Sequence, residues 1–271
     1  MSKEINQSKN RGEILLSYIL PGRLGWLYPF LYLQVLILAE LLTNMIEPHL
    51  GLLIHGLALI ALLIHGALDN DIRHRRLLLT LALAPLIRLQ SLFLPLAGRP
   101  LVEWYLAVGA ILFIAVFFTA RMSGLNARRI GLNLHQFPLQ IIFGLVGIGL
   151  GLIEYLILRP EPLADEFTIE ALWLPALILT IFTGFLEELI FRGLIQEAAL
   201  ATYGRFGLTF GSILFAVLHV GHRSLLDVIF VFSVAILFGY VVIRTGSILG
   251  ASIAHSLTNV CLFLIFPFVF P

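Results

Sequence analysis

Three short stretches in the C-terminal half carry the side chains best suited to chemistry. The first, GFLEELIFRG, places Glu187 beside Glu188, with Arg192 four residues after Glu188. Positions four apart share a helix face, so Glu188 and Arg192 can pair in the favourable acid-then-base order. Glu187 is turned about 100° away at 3.6 residues per turn. One carboxylate is thereby neutralised and the other is free to face a cavity, where it suits a general base working near neutral pH. The second stretch, FAVLH, sets Phe215 and His219 four apart. The third, HSLTN, does the same for His255 and Asn259, so both can point into one hollow.

These residues need helices that bring them to one depth, and the composition says where the helices lie. Of the 271 residues, 59% are hydrophobic and 12% charged, and the mean hydropathy is +1.00. Soluble domains carry about 25% charged residues, so most of this surface is built to avoid water. A helix crosses the hydrocarbon layer with about 20 apolar residues. Such stretches recur at 25–44, 50–68, 77–97, 101–120, 138–158, 171–200, 207–221, 226–244 and 247–268. In lipid the backbone must satisfy its own hydrogen bonds, so the spans are helices. The prediction is an all-α, polytopic transmembrane bundle of about nine helices, or eight if the short seventh span is not a full crossing. Pro85 and Pro175 are expected to kink their helices rather than break them. Glu187 lies 17 residues before Gly204 and His219 lies 15 after it. With a turn near Gly204, both stand roughly 22–26 Å from that turn. Asn259, on a helix starting near Gly246 on the same side, stands roughly 20 Å up. The three stretches can meet.

The polar link RMSGLNARRIGLNLHQ divides the chain into N-terminal helices, 1–136, of unassigned role and a C-terminal core, 137–271, that holds most of the polar residues of interest. Basic residues orient the bundle, because Lys and Arg gather in cytoplasmic loops. With nine crossings and a cytoplasmic N-terminus, cytoplasmic segments carry 12 of the 17 Lys and Arg. Outer segments carry Arg99, Arg159 and Arg223, and Arg88 and Arg192 fall within spans. The expectation is an integral protein of the plasma membrane, N-terminus in the cytoplasm, its first long helix an uncleaved anchor. Its partners are the lipid bilayer and a membrane-associated peptide or protein, and a net charge of +1 gives no case for nucleic acid. Trp26, Tyr28, Trp104, Tyr105 and Trp173 lie near span ends, as interfacial aromatics do. The lone Cys261 forms no internal disulfide.

EELIFR, FAVLH and HSLTN, in that order on three predicted membrane helices, resemble the EExxxR, FxxxH and HxxxN motifs of the CPBP (CAAX protease and bacteriocin-processing, or ABI) intramembrane proteases. That family is related to type II CAAX prenyl endopeptidases and bacteriocin-immunity proteins. The resemblance covers residues 170–265, including FLEELIFRGLIQ and SILGASIAHSLTN; the first 130 residues resemble no family. It implies an intramembrane endopeptidase acting on membrane-associated substrates, CAAX-type or leader-peptide. By the same resemblance Glu187 would activate water with the help of His219, and His255 and Asn259 would steady the oxyanion on the scissile carbonyl. Glu188 and Arg192 would hold their helix in register. A base, a water and preorganised donors are also what peptide hydrolysis needs on chemical grounds. The family has been described as metalloprotease, and Glu187, His219 and His255 are the set that would hold zinc. The absence of an HExxH pattern and the poor ligand Asn259 favour a metal-free glutamate mechanism with no cofactor.

Structural readings compete at each position. Glu188 and Arg192 read first as an ion pair supporting the site, and Phe215 as packing. His219 and Asn259, each alone, read as helix–helix hydrogen bonders. His55 and His65 read as packing or water contacts, Glu40 and Arg88 as a pair between the first and third helices, and His222 as a membrane-surface residue. Gly184, Gly193, Gly239 and Gly250 permit close helix approach. Two other functions fit the same side chains: a proton-coupled transporter using Glu187, His219 and His255 as a relay, and a catalytically inactive immunity or scaffold protein. Haem held by paired histidines would leave the carboxylates and Asn259 idle.

Overall fold

The computed structural model describes residues 27–94 and 100–270. The expectations for Trp26 and for Lys3, Lys9, Arg11, Arg23 and Arg99 lie outside the described residues. Among those described there is no strand, and eight helices are long and apolar enough to cross a membrane. They are α1 (Leu27–Ile46), α2 (Pro48–Leu68), α3 (Ile72–Phe93), α4 (Val102–Met122), α5 (Phe137–Leu158), α6 (Ile169–Tyr203), α8 (Leu225–Thr245) and α9 (Leu249–Val269). Between α6 and α8 lies a shorter apolar helix, α7 (Phe206–His222). The protein is an integral membrane bundle, with the seventh element short as its sequence foretold.

Local chemistry sets the breaks. Glu47 leaves the helical region at φ −144°, its side chain accepts from the His49 amide, and Pro48 opens α2, a position where a missing N–H costs nothing. Asp71 caps α3 by accepting from the Arg73 amide at 2.8 Å. Pro85 follows an interruption at Ala82 without ending α3. Gly204, at φ +57°, makes the tight reversal between α6 and α7, a backbone conformation that favours glycine. Ser224 caps α8, and Gly246 closes it at φ +69°.

Helices in lipid gain nothing from burying apolar surface against each other, so close packing must hold them. Gly184 of α6 shows how close: a Cβ there would lie 2.7 Å from Cα of Ser256 in α9. Gly147 of α5 faces α9 as tightly, with Ala254 Cα 2.8 Å from such a Cβ. The helix bearing His255 and Asn259 is thus clamped between α5 and α6. One apolar cluster joins Leu36 of α1, Leu62 of α2 and Leu77 of α3 to Leu186, Leu214, Phe238 and Ala254, across the 121–136 link. The link itself is tied down. Asn133 Nδ2 donates to the Gly246 carbonyl at 2.7 Å, and Ser247 Oγ donates to the Asn133 carbonyl at 2.8 Å. Large apolar side chains such as Leu53, Ile60, Phe117 and Trp173 stay exposed, which suits a surface facing acyl chains.

Candidate active site

α6 is not regular where its carboxylates sit. Wider π-helical turns, Leu179–Phe185 and Leu189–Gln196, flank the short α-helical stretch Leu186–Glu188. Such turns recur at functional sites because they shift backbone groups out of the α ladder. Here the Thr180 carbonyl accepts from Ser256 Oγ of α9 at 3.3 Å. Thr183, in the same turn, accepts from Asn259 Nδ2 at 2.9 Å.

The two glutamates have different surroundings. Glu188 is fully buried, and its Oε1 accepts from Arg192 Nη1 at 2.9 Å and from His255 Nδ1 at 2.9 Å. The ion pair therefore does more than hold one helix in register, since it also fixes a ring on α9. Glu187 keeps 31% of its side chain exposed, and its Oε2 lies 3.9 Å from His255 Nε2. His219 stands where α7 ends, and its Nδ1 bonds the Phe215 carbonyl at 2.9 Å. A carbonyl only accepts, so Nδ1 carries the hydrogen and Nε2 is left for another partner. Phe215 packs its ring 4.7 Å from that of His219 and lies under the Arg192 guanidinium at 4.4 Å.

Glu187, His219, His255 and Asn259 all line one cavity of about 230 Å³. Residues 169–261 match the family described as type II CAAX prenyl endopeptidase Rce1-like. Over this segment the protein is of the CPBP/CAAX protease type. No curated protein and no solved structure matches the chain. The CAAX-protease segment contains all seven motif residues, yet it does not build the cavity alone. Arg88 and Ser91 of α3, Trp104 and Tyr105 of α4, and Glu154 of α5 also line it. Trp104 and Tyr105 are thus wall residues, with Trp104 Nε1 donating to the Ser91 carbonyl at 3.3 Å.

Sequence reasoning passed over Glu154, which is 7% exposed and is the only acid in span 138–158. The cost of an ionisable side chain in a membrane helix was the signal that could have found it. His222 was expected at the membrane surface. It lines the cavity and bonds the buried Asp227 at 3.1 Å. Among the described residues, no three His, Cys, Asp or Glu side chains are arranged to hold a metal ion. Glu187, His219 and His255, the set that would take zinc, share the cavity, and the bonds of His255 Nδ1 to Glu188 and of His219 Nδ1 to the Phe215 carbonyl leave both Nε2 atoms available, the usual support of a metal-binding histidine.

Proposed function

We propose that this CAAX-protease family member hydrolyses peptide bonds of membrane-associated substrates with water activated by Glu187. One observation carries the reading: four polar side chains from three separate helical segments line one cavity, beside a buried ion pair that orients one of them. Glu187 takes a proton from the water as its oxygen attacks the scissile carbonyl, and His219 Nε2 accepts the water's other hydrogen. Asn259 spends one Nδ2 hydrogen on Thr183 and has a second for the oxyanion. A His255 ring carrying hydrogens on both nitrogens donates Nδ1–H to Glu188 and offers Nε2–H to the same oxyanion. When the C–N bond breaks, Glu187 delivers its proton to the leaving nitrogen. No metal is needed in this scheme. The N-terminus is cytoplasmic in this reading, as the distribution of basic residues supports, and the membrane is taken to be the plasma membrane.

The test is a peptidase assay on purified protein against a panel of prenylated, leader-type and plain membrane peptides, with and without a chelator. Cleavage that survives chelation and is lost in both Glu187→Ala and His219→Ala is the expected result. Proteolysis retained in Glu187→Ala sinks the mechanism. Proton flux into liposomes that depends on these residues, without peptide cleavage, would instead support a transporter.

A further inference from the structure

The cavity has a direction. Its wall reaches the helix termini at one end of the bundle. Trp104 is the third residue of α4, Ser91 stands two before α3 ends at Phe93, and His222 is the last residue of α7. Glu154 lies four residues before α5 ends at Leu158, about 6 Å by helical rise. At the opposite end no residue of the 121–136 link lines the cavity, and neither does Gly204 or Gly246. That end is tied across instead. Arg76 Nε donates to the Ser123 carbonyl at 2.7 Å, and Arg129 Nε donates to Glu197 Oε1 at 2.9 Å.

The two ends also differ in charge. The closed end receives 12 of the 17 Lys and Arg, and the open end receives Arg99, Arg159 and Arg223. The link between α5 and α6, at the open end, is acidic, with Glu161, Asp165 and Glu166 exposed. It packs against the cavity wall: Leu163 and Ala164 share an apolar cluster with Tyr105. The Leu163 amide also donates to the carbonyl of Phe263, another wall residue, at 3.0 Å. Lys and Arg gather on the cytoplasmic side of a membrane, so the closed end is the cytoplasmic one and the mouth faces away from the cytoplasm.

We infer that the site takes its substrate from the non-cytoplasmic side of the membrane, so that the peptide it cuts is a segment exposed on that face or exported to it. The inference rests on the protease reading above for its chemistry and narrows its substrate class. Glu187 lies 16 residues before α6 ends at Tyr203, roughly 24 Å from the cytoplasmic end of that helix. A peptide anchored in the cytoplasmic leaflet is therefore out of reach. The leader of an exported peptide, or the outer flank of a membrane-spanning segment, meets the mouth directly.

The experiment has two arms. In the first, Ser91→Cys, on the cavity wall, and Arg205→Cys, beside the Gly204 turn, are each treated with a membrane-impermeant maleimide in intact cells and again after permeabilisation. The chain's own Cys261 is buried, and unaltered protein supplies the blank. Ser91→Cys is expected to label in intact cells and Arg205→Cys only after permeabilisation. In the second arm, unaltered protein in right-side-out and in inside-out vesicles meets one cleavable peptide from the panel, bearing a charged tail that cannot cross the bilayer. Right-side-out vesicles cut it, and inside-out vesicles leave it intact until detergent opens them. If Ser91→Cys does not accumulate, the vesicles decide alone. Labelling of Ser91→Cys only in permeabilised cells or not at all, labelling of Arg205→Cys in intact cells, or cleavage by sealed inside-out vesicles overturns the inference while leaving the protease intact. Failure to cut any peptide on the panel in detergent refutes the protease reading itself, and the labelling arm still reports which way the cavity opens.

Discussion

Two buried charge clusters in this bundle use the same three residue types to different ends. In the N-terminal helices, Glu40 is fully buried, bonded to Arg88 and Asn44, with His55 behind it. In the C-terminal helices, Glu188 is equally buried and bonded to Arg192 and His255. Each is a carboxylate shared between an arginine and a histidine, the arrangement that makes charge tolerable in lipid. What separates them is the surplus. Beside Glu188 stands Glu187, partly exposed to a cavity that His219 and Asn259 also line. Glu40 has no acid next to it in sequence, and neither it nor His55 lines the cavity. A buried ion pair alone is architecture, and the same pair with a second acid at a cavity is a candidate for catalysis.

The sharpest way to break this comparison is to remove the surplus. Glu187→Gln keeps size and hydrogen bonding but cannot accept a proton, and kcat is expected to fall by about 10²–10⁴. Thermal unfolding in detergent should barely move, because Glu188 still holds Arg192 and His255. A large loss of Tm would place Glu187 with the structural acids. Glu40→Leu should do the reverse. It leaves Arg88 without its counter-charge, and breaking a buried pair from one side costs about 3–5 kcal/mol. Tm should drop clearly, and kcat per folded molecule should fall less than in Glu187→Gln. An unchanged Tm would show that water or lipid headgroups already neutralise Arg88.

Much of this contrast was legible beforehand, for physical reasons that also mark the limit. Pairs four apart on a helix are set by local geometry, so Glu188–Arg192 and His219 over Phe215 followed from spacing. The pairing of Glu40 with Arg88 followed from scarcity, since two opposite charges within apolar spans have few alternatives. The reversal at Gly204 came from the polar gap around a glycine. The bond from Glu188 to His255 was not legible, because those residues are 67 apart and helical periodicity does not say which faces meet. The flanking π turns left no sequence mark. That Trp104 and Tyr105 also line the cavity was not legible, because position near a span end is the only cue a sequence offers for such aromatics. The cavity wall supplied by α3, α4 and α5 lies outside the motifs, so reading motifs found the reacting groups and missed their container.

A finer test concerns the oxyanion. Asn259→Ala removes a donor that the proposed transition state needs and the resting site uses only to hold Thr183. The expected loss is about 10²–10³ in kcat, with KM changed little. Thr183→Val removes the resting partner but not the donor, and should cost much less. If Thr183→Val matches Asn259→Ala, the amide serves to glue α9 to α6, as such groups often do in membranes, and the comparison loses one of its catalytic members.

The smallest expected effect falls on Phe215, which touches both classes of residue. Its buried ring packs on His219, meets His255 edge-on at 6.0 Å and lies under Arg192. The bond that orients His219, however, runs to the Phe215 backbone carbonyl, which any side chain preserves. Phe215→Leu therefore gives up a cation–π contact and aromatic edges worth about 1–2 kcal/mol, seen as a modest fall in Tm. It keeps the tautomer that leaves Nε2 available to water, so kcat should decline only a few-fold. If kcat instead collapses to the level of Glu187→Gln while Tm holds, the ring itself fixes the histidine for chemistry. The line between architecture and reaction would then run through this side chain rather than beside it.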